Sequence, residues 1–329
     1  MMKAVQINEF GGPEVLKIEN VEEPKVNQGE VKVKVYATGL NPNESYTITG
    51  TYGDHPPDLP YIPGFDAAGI VEELGEGVER FKPGDRVWIA GFKAKRNSGT
   101  YAEKTVIDSD HLHPLPDQLS MEEGAGLGIP VLTAYRALFH RAKIKATDTV
   151  LIHGASGAVG SFAVQMAKNI GARVIGTSST KEGRQQIKDL GADAAINHLT
   201  AENKNELINL TDGKGPDLII EMLANKNLEI DSQIIAENGR IVVVGNRGKI
   251  EIDPRNLMGT EAVITAVNVG KMSKEEKNKA IDDILEQLKT GDIKVLLGEE
   301  FSLAEAKKAH QHMMENSGDG RTTFIVHEE

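Results

Sequence analysis

The chain of 329 residues contains no cysteine. Disulfides, thiolate nucleophiles and Cys-ligated zinc are excluded together, and a reducing, cytoplasmic setting is expected. No apolar run approaches the length needed to cross a bilayer, and residues 1–10 lack a signal-peptide pattern. A cationic surplus is also missing. The formal net charge is −12, which argues against a broad nucleic-acid surface, and basic residues do not interleave with aromatics as an RNA-stacking surface requires. Repeats, low-complexity tracts and flexible linkers are absent from the sequence. The remaining composition, 39% hydrophobic and 26% charged, is ordinary for a globular protein, and the length predicts two domains.

The most informative stretch is Val150-Leu151-Ile152-His153-Gly154-Ala155-Ser156-Gly157-Ala158-Val159-Gly160. A short aliphatic run ends in a glycine-rich turn, and Val159, Ala163, Met166, Ala167 and Ile170 then recur at helical spacing up to Gly171. Strand, turn and helix in that order aim backbone N–H groups and a positive helix end at an anionic group, usually a dinucleotide pyrophosphate. The pattern Ala-x-Gly-x-x-Gly has Ala155 where the fingerprint has its first glycine. Gly157 would let the backbone approach the phosphate, and Gly160 would let helix and strand pack closely.

One glycine motif alone is equally consistent with a sharp structural turn. The sequel decides. Strand patterns at 173–177, 194–197, 217–223 and 241–245 alternate with helical patterns at 182–190, 202–210 and 228–237, with Gly191 and Gly239 closing two helices. Repeated βα units imply a doubly wound, Rossmann-type parallel sheet. The first 120 residues differ in texture: short strand candidates at 3–7, 15–18, 67–73 and 85–89 are punctuated by Gly and Pro. Val31, Val33 and Val35 alternate with Lys32, Lys34 and Tyr36, the period of a half-buried strand. A strand at 262–267, a helix through Ile281, Ile284, Leu285 and Leu288 ending at Gly291, and a strand at 323–326 complete the chain. The last strand is expected to return to the β-rich part, so the Rossmann unit is inserted within it.

The second Rossmann strand leads into Gly176-Thr177-Ser178-Ser179-Thr180-Lys181, with Arg184 beyond. An NAD site places Asp or Glu there to bind the ribose 2′-hydroxyl. This chain has hydroxyls and cations, which favours NADPH; the alternative is a solvated helix start. His111/His113 and His310/His312 have the spacing of metal ligands, but each pair lies beside proline or in a polar helix without a second pair, so they are expected to be solvated surface histidines and no metal site is expected.

Taken together, several segments resemble the zinc-independent quinone oxidoreductase (zeta-crystallin-like) branch of the medium-chain dehydrogenases/reductases. They are Phe10-Gly-Gly-Pro-Glu-Val-Leu16, Gly39-Leu-Asn-Pro42, Gly50-Thr-Tyr52, Pro63-Gly64, Lys82-Pro-Gly-Asp-Arg-Val87, Gly128-Ile-Pro130, Thr133-Ala-Tyr-Arg-Ala137, the glycine-rich turn, Glu221-Met-Leu-Ala-Asn225 and Val243-Val-Gly-Asn-Arg-Gly248. The resemblance implies an α/β chain with a GroES-like β-rich catalytic domain over 1–124, a Rossmann NADP-binding domain over 125–268 and a return to the catalytic domain over 269–329, with the active cleft between domains. It implies hydride transfer from NADPH to a small quinone; an enone or enal reductase uses the same geometry. A third class, an NADPH-sensing, AU-rich-RNA-binding or structural protein, is disfavoured by the charge.

The resemblance also carries site residues. Tyr52 would lie by the cofactor, and Asn41 and Thr133 near the reacting ring; Tyr46 and Tyr52 could equally be packing residues. Ser156, Gly157, Ala158, Val159 and Gly160 would line the pyrophosphate, and Ser179, Lys181 and His198 the adenosine phosphate, with an ordinary loop histidine as the alternative for His198. Asn227, Val244, Gly245, Asn246 and Arg247 would approach the adenosine or nicotinamide side, with Val267, Asn268 and Val269 beside the nicotinamide. Zinc-using relatives carry a Cys near the Asn41 position and Gly-His-Glu where this chain reads Gly64-Phe65-Asp66. Without a Lewis acid, alcohol oxidation loses its usual activation, whereas reduction of an already electrophilic quinone or activated alkene does not. No general acid stands out, so solvent or a tyrosine would supply the proton. The basic segment 91–98 departs from the family pattern and is read as a solvated loop or a border of the cleft. A homodimer or homotetramer is expected, formed through the strand at 262–267 as a sheet edge.

Overall fold

In a computed structural model, residues 1–51, 56–90, 99–199, 203–315 and 319–328 are described. The chain forms two units, Met1–Ile129 with Val295–Glu329, and Pro130–Lys294. The second is therefore inserted in the first. The sequence reading draws the second crossing at 269. In the structure it comes at Val295, because the long helix at Lys274–Thr290 belongs to the inserted unit.

The first unit carries strands β1 (Met2–Gln6), β2 (Lys17–Val21), β3 (Glu30–Gly39), β4 (Asp66–Leu74), β5 (Arg86–Ile89), β6 (Lys104–Asp108) and β7 (Leu112–Pro114). β1 and β2 pair with each other as a separate two-stranded sheet; the larger sheet of the other strands is rejoined by Arg321–Ile325, which lies beside β3, and by Leu297–Ser302 outside it. The alternation in β3 is realised: Val31, Val33 and Val35 are fully buried against Val71, Val87, Ile89, Ile107 and Leu112, while Lys32, Lys34 and Tyr36 are half-buried. The strand expected at 15–18 starts later. Pro13–Val15 forms a 3-10 turn with proline at its start, and the strand begins at Lys17. Helix α1 (Pro42–Ile48) follows β3, with Pro42 at its first position and the Glu44 carboxylate accepting the Asn41 backbone N–H at 2.9 Å.

The second unit is built on β8 (Thr149–Ile152), β9 (Arg173–Thr177), β10 (Ala194–Ile196), β11 (Leu218–Glu221), β12 (Arg240–Val243) and β13 (Val263–Ala266). Their order in the sheet is β10-β9-β8-β11-β12-β13, with every pairing parallel. Chain direction across the sheet reverses between β8 and β11, the topological switch point of a doubly wound fold. Leu151, Ile175, Ile219 and Ile241 supply its buried layer. Helix α2 (Ala158–Ile170) follows β8 and stops at Gly171, whose φ of 95° only glycine adopts without strain. Helices α3 (Lys181–Asp189), α4 (Ala224–Ile234) and α5 (Lys274–Thr290) continue the series.

Two details differ from expectation. The helix read at 228–237 starts at Ala224, and Gly239 does not close it: the left-handed residue after this helix is Asn238, at φ 57°. Strand β13 forms the sheet edge, with Val263 exposed. Among the described residues, no helix is long and apolar enough to cross a membrane.

Candidate functional site

The inserted unit places each group of expected cofactor residues just past the C-terminal end of a parallel strand. The turn 153–157 follows β8, Ser179 and Lys181 follow β9, His198 follows β10, Asn227 follows β11, Val244–Arg247 follow β12, and Val267–Val269 follow β13. Open α/β sheets bind ligands along this edge. Gly157 is the N-cap of α2 and has no side chain with which to satisfy the first N–H groups of the helix. A Cβ on Gly160 would stand 2.3 Å from the Gly154 carbonyl oxygen and 2.6 Å from the Ala155 Cα, so glycine is required for the helix to lie this close to the turn. A Cβ on Gly157 would meet only the Gly154 oxygen, at 3.3 Å, which leaves space above the turn for a ligand. These features fit a dinucleotide pyrophosphate, held by backbone N–H groups and the helix end.

Beside the turn, the Thr177 hydroxyl accepts the Gly154 N–H at 3.1 Å and lies 3.3 Å from His198 Nδ1. The His198 ring is held below its ordinary value, first by burial and then by the positive charges of His153 and Arg184. Ser179 is half-buried and Lys181 exposed. Thr180 caps α3 through Gly183 N at 2.8 Å, and Arg184 folds back to donate to the Ser178 and Ser179 carbonyls, both at 3.1 Å. Asn227 donates to Glu221 Oε1 at 3.1 Å, Asn246 donates to the Gly248 carbonyl at 2.7 Å, and the Arg247 backbone N–H donates to Asn225 Oδ1 at 2.9 Å. Asn268 accepts from Gly270 N at 2.9 Å.

Of the residues expected near the reacting ring, Tyr52 lies outside the described residues, as does the basic segment 91–98. Thr133 is buried in the helix Gly128–Tyr135, mostly within the inserted unit, and Tyr46 is half-buried on α1 of the first unit. Asn41 is buried and heavily engaged. Its amide donates to Asp66 Oδ2 at 2.9 Å and to Glu44 Oε1 at 3.1 Å, and its oxygen accepts from Arg321 Nη1 at 2.9 Å. Arg321 also donates to the Leu40 carbonyl at 2.6 Å and pairs with Asp66 at 2.8 Å, while the Ile129 N–H donates to the other Asp66 oxygen at 2.9 Å.

A second branch of this network was not foreseen. Glu44 accepts from the Phe65 N–H at 3.0 Å and from the Tyr101 hydroxyl; burial pushes its carboxyl up to about 7, against the opposing hydrogen bonds from Asn41 and Tyr101. Tyr101 lies 3.2 Å from His310 Nε2, and His310 Nδ1 lies 3.3 Å from the Ser45 hydroxyl. Burial holds the His310 ring down, at about 4, so the imidazole is neutral at neutral pH. Because the Tyr101 proton goes to Glu44, Nε2 carries the ring proton and Nδ1 accepts from Ser45. His310 is therefore not a solvated surface histidine, and neither is His113, which is buried with its ring 5.1 Å from Trp88. Each sits on the inward side of its element, a placement that x-H-x-H spacing does not report.

Also unforeseen is the buried trio of His153, Glu221 and Asp231 beneath the glycine-rich turn. Among the described residues it is the one group of three such side chains close enough to share an ion. The Nε2 of His153 is at ordinary hydrogen-bond distance, 2.9 Å, from Asp231 Oδ1. Glu221 stands in a segment singled out by resemblance, but nothing local marks Asp231, ten residues on.

The comparisons with known proteins agree with this architecture. Residues 27–117 match the family described as alcohol dehydrogenase GroES-like domain, and residues 158–286 the one described as zinc-binding dehydrogenase. The class is thus a GroES-like domain joined to a dehydrogenase nucleotide-binding domain. The quinone oxidoreductase of Rattus norvegicus is 42% identical over 97% of this chain and 95% of its own length. A crystal structure of the quinone oxidoreductase of Pseudomonas syringae pv. tomato DC3000 is 31% identical with a TM-score of 0.89, covering 99% of this chain and all of that one. The Escherichia coli quinone oxidoreductase, solved in complex with NADPH, is 29% identical with a TM-score of 0.89 over 98% of this chain and 100% of its own. The chain belongs to the quinone oxidoreductase family of the medium-chain dehydrogenases/reductases.

Proposed function

We propose that this protein is an NADPH-dependent oxidoreductase that transfers hydride to a small quinone without a catalytic metal. The observation that carries the reading is the crest of the inserted sheet, where an uncapped glycine-rich helix start and five further loops line one edge. Bound there, NADPH would supply a hydride, two electrons and one proton, from its nicotinamide ring. The protein's part is to hold the cofactor by backbone N–H groups, offer hydrogen bonds to the acceptor's oxygens as they gain charge, and keep competing water out. Asn41, Tyr46, Tyr52 and Thr133 are the residues proposed for the acceptor side.

Independence from zinc is supported by side-chain chemistry. The chain has no cysteine. Asn41 stands near the position of a Cys in zinc-using relatives, and Phe65 where their Gly-His-Glu stretch has its His; Asn41 and the adjoining Asp66 are tied to the guanidinium of Arg321. A fixed cation is already there. Quinone as acceptor is supported by the names of full-length relatives such as the Rattus norvegicus protein. The exposed edge of β13 supports self-association by strand pairing.

The test is NADPH oxidation by the purified protein with 1,4-benzoquinone, 9,10-phenanthrenequinone and an aliphatic enone side by side. Quinone turnover that survives EDTA and o-phenanthroline is the expected outcome. Turnover of the enone alone would move the function to alkene reduction, and inactivation by chelators would overturn metal independence.

Cofactor choice has its own test. No acid stands among residues 178–181, directly after β9, and Lys181 is exposed at the start of α3. Lys181→Ala is expected to raise the KM for NADPH about tenfold through loss of one charge-assisted contact, with the KM for NADH unchanged. Equal shifts for both cofactors would show that Lys181 does not meet the 2′-phosphate.

A further inference from the structure

His153 ends the run from β8 into the glycine-rich turn, Glu221 closes β11, and Asp231 projects from α4. These three elements flank the switch point of the sheet. His153 Nε2 is 2.9 Å from Asp231 Oδ1 and 3.4 Å from Glu221 Oε2. The second Glu221 oxygen accepts the Leu223 N–H and the Asn227 amide, and the Glu221 backbone carbonyl accepts from Val244 N at 2.8 Å. One buried cluster thus touches the root of three loops that line the proposed cofactor site: the turn after β8, the Asn227 segment and the Val244 segment.

Its charge state is unusual. Burial opposes charge on the His153 ring, but the carboxylates of Asp231 and Glu221 outweigh it and raise the imidazolium to about 9. Glu221 is pushed well above the ordinary carboxylate range, chiefly by burial and, against the attraction of His153, by the neighbouring charge of Asp231. Glu221 Oε2 and Asp231 Oδ2 are both buried without a hydrogen-bond partner, so a proton carried by Glu221 would give this pair the donor it lacks. With that proton the trio is neutral; without it the trio carries one net negative charge directly beneath the turn. Among the described residues, His198, from the loop after β10, interacts with the His153 charge, and Arg184 on α3 interacts with His198 in turn.

We propose that His153, Glu221 and Asp231 are positioning residues for the dinucleotide, locking the turn after β8 to the Asn227 segment, and that dinucleotide binding takes up a proton at this trio. The inference rests on the NADPH reading above. A pyrophosphate above the turn and a net negative trio below it repel, so binding favours the protonated trio, and protonation favours binding to the same extent. The sign follows from the raised carboxyl: the affinity gained is present at low pH and lost as pH rises through the Glu221 transition.

The experiment is a fluorescence titration of the full chain with NADPH from pH 6 to 9, on the wild type and Glu221→Gln. The amide keeps an acceptor for Leu223 and can donate to Asp231 as the protonated acid does, but it does not titrate. Wild-type affinity is expected to fall about tenfold over this range through loss of one linked proton, and the Glu221→Gln profile to be flatter, with KM rather than kcat carrying the change. The 2′-phosphate titrates in both proteins and cancels in the comparison. Identical profiles would overturn the proposal. So would a stoichiometric divalent metal that copurifies with the wild type and is lost from Glu221→Gln, because an ion would then stand in place of the proton on Glu221. Should the variant not fold, calorimetry of the wild type in two buffers of different ionisation enthalpy decides. Net proton uptake on NADPH binding near pH 7.5 supports the proposal and its absence overturns it, since a phosphate meeting cations releases protons. Failure of the wild type to bind NADPH at any pH would instead overturn the functional reading.

Discussion

Arg321→Met is expected to destabilise the first unit by about 3–5 kcal/mol, the cost of breaking a buried ion pair from one side. Arg321 is 2% exposed and Asp66 fully buried. With the guanidinium gone, Asp66 keeps the Ile129 N–H and the Asn41 amide but no countercharge, and the Leu40 carbonyl and Asn41 Oδ1 lose their donor. Methionine fills part of the volume and replaces none of this. The closeness of the fit is visible at Gly39, where a Cβ would stand 2.1 Å from Arg321 Nη2. The measurement is urea unfolding followed by tryptophan fluorescence. Trp88 is the single tryptophan, is fully buried, and lies on β5 of this unit, so it reports the affected part alone. The Asp66→Asn, Arg321→Met double variant is expected to cost clearly less than the sum of the singles, because it leaves no uncompensated charge. A loss below about 1 kcal/mol for Arg321→Met, the level of a surface pair, would mean that water reaches Asp66.

That network marks the limit of what the sequence discloses. Features that depend on neighbours along the chain were legible. The alternation in β3 comes from residues two apart, β9 spans Arg173–Thr177 as expected, and the Gly171 and Gly291 helix ends follow from the left-handed conformation a chain needs to leave a helix. Asn41-Pro42 with Glu44 three residues after the cap is also a local signal for the start of α1, and it would have revealed one Glu44 contact. Arg321 is different. Its partners lie 255 and 280 positions away, and neither spacing nor periodicity links them. The same holds for His310 with Tyr101, 209 positions apart, and for His153 with Asp231, 78 apart. Resemblance pointed to the loops of the proposed cofactor edge because they recur as segments; it did not supply the buried charges holding those loops, which are set by tertiary packing.

The glycine-rich turn separates two roles that a motif treats alike. At Gly160 an added methyl group would collide with the Gly154 carbonyl and the Ala155 Cα, both backbone atoms that cannot rotate away. Gly160→Ala must therefore push α2 from the turn, an overpacking cost of about 1–3 kcal/mol. The same shift moves the N–H groups of the helix start off the proposed pyrophosphate position, so NADPH affinity is expected to fall at least about 100-fold and the melting temperature by several degrees. At Gly157 the added methyl meets only one oxygen, at 3.3 Å, and otherwise points into the space above the turn. Gly157→Ala is expected to leave the melting temperature nearly unchanged while weakening NADPH by about tenfold, because the methyl stands where the phosphate would approach. The paired measurement is thermal unfolding without cofactor beside NADPH titration for both variants. A Gly157→Ala protein that loses stability but binds normally would place the ligand elsewhere than over this turn. A Gly160→Ala protein with wild-type affinity would show that helix and turn adjust independently, which a carbonyl contact of 2.3 Å does not permit.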